Sequence, residues 1–219
     1  MIYKIMDVND LNDELIAKYF PMLSLGRQQK IANMKDFHNR AVLFCCEIIA
    51  RQCLSEHCDA PEFSFSLLCN PGSKSILSNF GAEICIVQHE NFVACAVSDN
   101  YVGISIAPLK HFSFSEAQNR LSDVELRAVF AESSYSFGEL INLNECNESK
   151  VTKRFAQLMS LKEAHFYASG RGIKPLGVST DFEFDGIQLV CTDKKYKISK
   201  SFIDEKNEIA ISVIERSKQ

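Results

Sequence analysis

The stretch Glu148–Ser169 constrains this chain more than any other. Val151, Phe155, Leu158, Met159, Leu161, Ala164 and Phe166 recur at helical steps and spread apolar surface over much of a helix's circumference. Gly170 and Gly172 follow as glycines that stop the helix in C-cap fashion. A helix this apolar has to be packed into a core, yet Lys162-Glu163 lies in its middle. A charged pair in such surroundings wants a partner, because desolvating it alone is costly. The blander account has Lys162 snorkelling to water and Glu163 pairing with a neighbour on the solvent side.

The rest of the chain alternates helical and extended stretches. Ile2–Met6 reads as a strand, and Asp10–Phe20, Ser24–Met34 and Asn39–Leu54 as helices. Glu62–Leu68 alternates Phe63, Phe65 and Leu67 with polar residues, the pattern of a half-buried strand, and Asn70-Pro71-Gly72 reads as a turn. Glu83–Gln88, Asn91–Val97 and Tyr101–Ile106 follow as short strands, with Gly103 marking a close backbone approach or a bulge. In the second half, Ser122–Phe130 and Phe137–Leu143 are helical in pattern and precede the long helix. Phe182–Thr192, Lys195–Phe202 and Glu208–Ile214 close the chain as a three-stranded meander, with Asp185-Gly186 as a turn signal. The expected class is therefore α+β. The order of helices then sheet occurs twice, which predicts two pseudo-symmetric lobes, residues 1–107 and 108–219, each with helices packed on a small, mostly antiparallel sheet.

Composition removes some function classes. The net charge is −4, so the basic excess of a nucleic-acid binder is missing, although a few lysines and arginines suffice for a phosphate pocket. The nine cysteines are odd in number and form no CxxC pair, which disfavours a zinc site and predicts buried free thiols in a reducing, cytoplasmic compartment. No signal peptide or membrane-spanning run is visible, and no membrane partner is expected.

Several positions fall into a familiar order. Lys74-Ser75 precedes a strand ending Gln88-His89; then come Phe92-Val93-Ala94-Cys95-Ala96-Val97 and Val102-Gly103-Ile104-Ser105-Ile106-Ala107. Phe155 and Met159-Ser160-Leu161-Lys162-Glu163-Ala164 follow, and the tail is Ala168-Ser169-Gly170-Arg171-Gly172-Ile173. Over nearly its whole length the chain resembles the two-lobed, surfactin-type 4′-phosphopantetheinyl transferases. Their signatures are a Gly-Lys-Pro loop, an Asn-x-Ser-His strand end leading to Gly-x-Asp-x-Glu, and a Trp-x-x-Lys-Glu-Ala/Ser helix ending Ala-x-Gly-x-Gly. That resemblance implies transfer of the phosphopantetheine arm of coenzyme A, with magnesium, to a serine of an acyl or peptidyl carrier protein. It places Arg27, Lys30, Lys74 and His89 on the coenzyme A phosphates. Glu163 becomes a metal-binding carboxylate and base, with Lys162 the adjacent site lysine. The chemistry suits the residue types, since lysine serves phosphate as a point charge and histidine can donate to a phosphate oxygen. A monomer of two fused lobes is sufficient for such a reaction.

The departures from the pattern are equally specific. The Asp and Glu of Gly-x-Asp-x-Glu are Ser105 and Ala107; Gln88 and Glu90 flank His89 where serines are usual; the helix tryptophan is Met159; and a later phosphate-binding lysine is Tyr167. Magnesium is usually held by one or two carboxylates plus substrate phosphates, so Glu163 alone remains of the family set. Glu83, Glu90 and Asp99 are the acids available to substitute, Glu90 first because it adjoins His89. The alternative implied is a non-catalytic homologue that binds coenzyme A or a carrier protein.

Overall fold

The computed structural model describes residues 1–65, 67, 81–131, 133–136, 138–139, 142, 145–170, 181–185 and 188–217. The chain is a mixed α/β protein with small antiparallel sheets, and it divides into two compact units, Met1–Ile106 and Ala107–Gln219.

In the first unit β1 (Ile2–Asp7) leads to α1 (Asp13–Tyr19), α2 (Leu25–Asn33) and α3 (Phe37–Cys58). Each helix starts where a side chain can take an orphaned backbone N–H. Asn12 accepts from Leu15 N, Ser24 from Arg27 N and Asp36 from Asn39 N. The strands β2 (Glu83–His89) and β3 (Phe92–Ser98) form a hairpin, and β1 lies antiparallel on the other edge of β3. The register runs Ile2↔Val97 to Asp7↔Phe92 on one side and Glu83↔Ser98 to His89↔Phe92 on the other. Central β3 is buried on both faces, and α3 covers the sheet with Cys45, Cys46, Ile49 and Cys53 against Ile84, Ile86, Val93 and Cys95. A second cluster joins Tyr19, Leu23 and Ile31 to Leu43, Phe44 and Ile48 of α3. β4 (Val102–Pro108) carries the division between the units.

Over its described residues, 62–65 and 67, the stretch Glu62–Leu68 is not the strand its alternation predicts. Glu62–Ser64 is a turn of 3-10 helix after Pro61, and Phe63 faces solvent while Phe65 and Leu67 are buried. The reason is local competition for carbonyls. The Arg51 guanidinium donates to Glu62 O at 3.0 Å and Phe65 O at 2.9 Å, taking acceptors that a ladder would use.

The second unit is built on the long helix α6 (Ser149–Ser169), which packs on the hairpin of β7 (Tyr196–Asp204) and β8 (Ile209–Arg216). Before it come α4 (Phe114–Arg120), capped by Ser113, and α5 (Asp123–Phe130), which opens with a full capping box between Ser122 and Glu125. α4 is absent from the sequence reading, although Ser113-x-x-Glu116 spells a helix start. Gly170 ends α6 at φ +61°, a left-handed position that glycine takes without strain. The stretch read as one strand over Phe182–Thr192 is two, β5 (Phe182–Asp185) and β6 (Gln188–Cys191), paired antiparallel from Phe182↔Cys191 to Asp185↔Gln188. The expected three-stranded meander is therefore not one sheet: β5 and β6 form a two-stranded sheet of their own, apart from the sheet that holds β7 and β8. Phe112 stacks on Phe155 at 3.9 Å between centroids, in a core with Leu158, Leu161, Ala164 and Ile214. Of the helix expected over Phe137–Leu143 only part lies within the described residues. No described helix is long and apolar enough to cross a membrane.

Candidate functional site

The midpoint of α6 resolves the question its sequence poses. Lys162 does not snorkel: its side chain is 1% exposed, and its ammonium lies 2.8 Å from Glu125 Oε2 and 3.0 Å from Asp181 Oδ2. Glu125 is itself 0% exposed at the side chain, so the pair forms where Coulomb attraction is weakly screened. Its carboxylate is used on both oxygens. Oε2 also accepts from Ser122 N at 3.0 Å, while Oε1 accepts from Asp181 N at 3.1 Å and Phe182 N at 3.2 Å. One carboxylate thereby caps α5, fixes the start of β5 and neutralises Lys162. His165, one turn further along α6, places Nδ1 4.0 Å from Asp181 Oδ1 and packs edge-on against Phe182 and Tyr196.

Sequence reasoning identified Lys162 and missed both of its partners. Asp181 carried no signal. Glu125 did: a Ser-x-x-Glu capping box at a helix start is readable, although its burial is not. Glu163 is half-buried on the same helix, next to the anchored lysine. Met159 is buried, and Tyr167 is half-buried with its ring edge-on to Phe166 at 5.3 Å.

The candidate coenzyme A residues of the first unit have different circumstances. Arg27 on α2 donates from Nε to Glu47 Oε1 at 2.7 Å, and its side chain is 10% exposed. Glu47 is 1% exposed between Arg27 and Arg51, whose Nη2 lies 3.9 Å away. Lys30 is exposed in the last turn of α2. His89 ends β2 opposite Phe92; its Nε2 is shielded from solvent, makes no hydrogen bond among the described residues, and lies 3.8 Å from Glu90 Oε1. Lys74 lies outside the described residues, as do Arg171 and Gly172.

The magnesium expected from the family pattern is poorly served by the residues present. Ser105 is 1% exposed on β4 and Ala107 is 7% exposed, with no donor atom on its side chain. Among the acids named as substitutes, Asp99 accepts from His57 at 3.0 Å, Glu90 sits at φ +47° in the β2–β3 turn with its side chain 79% exposed, and Glu83 opens β2. Among the described residues no three His, Cys, Asp or Glu side chains are gathered to hold a metal ion. Two of the three family positions therefore do not fit a magnesium site. No protein-family model matches the chain, and no curated protein matches it.

Proposed function

We propose that this chain is a relative of the phosphopantetheinyl transferases that binds coenzyme A and does so without magnesium-assisted transfer. The observation that carries this reading is β4, where a buried serine and a buried alanine occupy the two positions at which the pattern needs carboxylates. A pyrophosphate leaving group without metal neutralisation raises the barrier by several kcal/mol, so loss of those ligands weighs on transfer more than on binding. Binding requires cations and donors near phosphate. Lys30 is an exposed cation and His89 ends a strand at the position the resemblance assigns to a phosphate contact.

A second reading, transfer of the phosphopantetheine arm to a carrier serine, is favoured by α6. The buried pair of Lys162 and Glu125 fixes the helix at the residue before Glu163, so that carboxylate is presented on a rigid element. In that reading Glu163 takes the proton of the carrier's serine hydroxyl.

Calorimetry with coenzyme A, with and without magnesium, and mass analysis of apo carrier proteins after incubation separate the two. The expected outcome is binding that does not depend on magnesium and no mass gain on any carrier. No heat at high micromolar coenzyme A under either condition removes the binding reading. A phosphopantetheine mass gain that disappears in Glu163→Gln establishes transfer instead.

A further inference from the structure

We infer that the first unit holds a binding site for a small amphipathic carboxylate, an apolar chain with one anionic head, in the hollow where α1, α2 and α3 meet. The hollow measures about 240 Å³, and its wall is almost wholly carbon, with Ile16, Phe20, Ile31, Phe37 and Phe44 prominent in it. An apolar hollow of about 150 Å³ already takes up a six-carbon ring, so this one accommodates a chain of about eight to ten carbons. Its mouth leaves apolar surface in water, with Ile16 38% and Phe37 72% exposed. Such surface gathered around a hollow marks a place that something apolar covers.

The head group is read from charge. Arg40 is the sole charged residue of the wall, and its guanidinium lies 5.1 Å from the Phe37 ring centroid at the same site. Arg27, Arg51 and Arg120 each have a glutamate within ion-pair distance. Arg40, by contrast, makes no ion pair among the described residues. A cation beside a ring, at the rim of an otherwise carbon-lined hollow, is complementary to a carboxylate whose tail enters the hollow. The planar guanidinium fork matches a carboxylate in two hydrogen bonds. This site uses none of the residues assigned to coenzyme A, so the two proposals stand or fall separately.

Octanoate is a suitable probe, used with the full chain and well below its own aggregation threshold. Calorimetry should show saturable binding of one molecule per chain, while octanol and octylamine bind at least several-fold more weakly. Arg40→Gln should weaken octanoate about tenfold, the scale of one charge-assisted contact, and leave octanol unchanged. Ala32, which lines the hollow yet is exposed on α2, gives a second variant: Ala32→Trp fills the hollow from its rim and should abolish binding with the thermal transition preserved. No saturable binding of octanoate overturns the proposal, as does equal affinity for octanol. Binding that survives Ala32→Trp places the ligand elsewhere and overturns it too. If the chain instead self-associates, and Ala32→Trp disperses it while octanoate has no effect, the hollow is covered by a second copy and the proposal fails.

Discussion

Lys162 shows how one residue's chemistry can be read correctly and its setting missed. Composition of the surrounding helix says that the charge wants a partner; the partners themselves come from Glu125, 37 residues earlier in the chain, and from Asp181 beyond the helix end. No local pattern encodes such a meeting. The energetic consequence is testable. Truncating Lys162 to methionine keeps the apolar stem but leaves Glu125 buried without its cation, and breaking one side of a buried pair costs about 3–5 kcal/mol. Urea unfolding of Lys162→Met should show that loss. The double variant Lys162→Met/Glu125→Gln should lose less than the sum of the two single losses, since the unpaired charge is gone, although the single carbonyl oxygen of a glutamine cannot replace every contact the carboxylate accepts. Additive losses, or a Lys162→Met loss below about 1 kcal/mol, would contradict a pair that neutralises itself in the interior. The same experiment bears on Glu163, because a helix loosened at Lys162 no longer holds the next carboxylate in place.

At the scale of elements, the helices were the most legible part of the sequence. Periodic apolar residues located α1, α3, α5 and α6, and the capping residues Asn12, Asp36 and Ser122 explain where three of them begin. The two misses have different causes. Phe63, Phe65 and Leu67 alternate as a strand would, but Arg51 claims the carbonyls of that stretch, a contact invisible in a window of seven residues. α4 is only seven residues long, too short for periodicity to stand out against its cap. The site was legible in type and not in state. Arg27 is basic where a phosphate contact is expected, yet it is already paired with Glu47, whose position on α3 the sequence could not relate to α2. Gly170 offers a direct check on the helix end that was read correctly. At φ +61° a side chain is strained, so Gly170→Ala should destabilise the fold by about 1 kcal/mol, lowering the urea midpoint without changing the slope. An unchanged midpoint would mean that α6 ends in another conformation.

For the molecule as a whole, the cysteines give a property that no single element carries. Eight free thiols lie among the described residues, and six of them are buried: Cys45, Cys46, Cys53, Cys85, Cys95 and Cys146. Burial pushes Cys45 and Cys46 from an ordinary 9.0 up to about 12, and Cys191 up to about 11. A thiol is neutral when protonated, so a raised folded pKa means that the folded state keeps a proton the unfolded chain releases. The stabilisation is fully present below about pH 9 and is lost as pH rises from there toward 12. Two results follow at neutral and alkaline pH. Among the described thiols a maleimide should label Cys58 and Cys191 first, and the six buried ones only on the timescale of unfolding, because a sulfur without solvent contact is out of the reagent's reach. Above about pH 9 the urea midpoint should fall, and it should fall less steeply in Cys45→Ala/Cys46→Ala, which removes two of the protons at issue. Comparing slopes against pH, rather than midpoints, separates this linkage from the packing lost with two sulfur atoms. Equal slopes in the double variant and the parent would show that other groups govern alkaline unfolding.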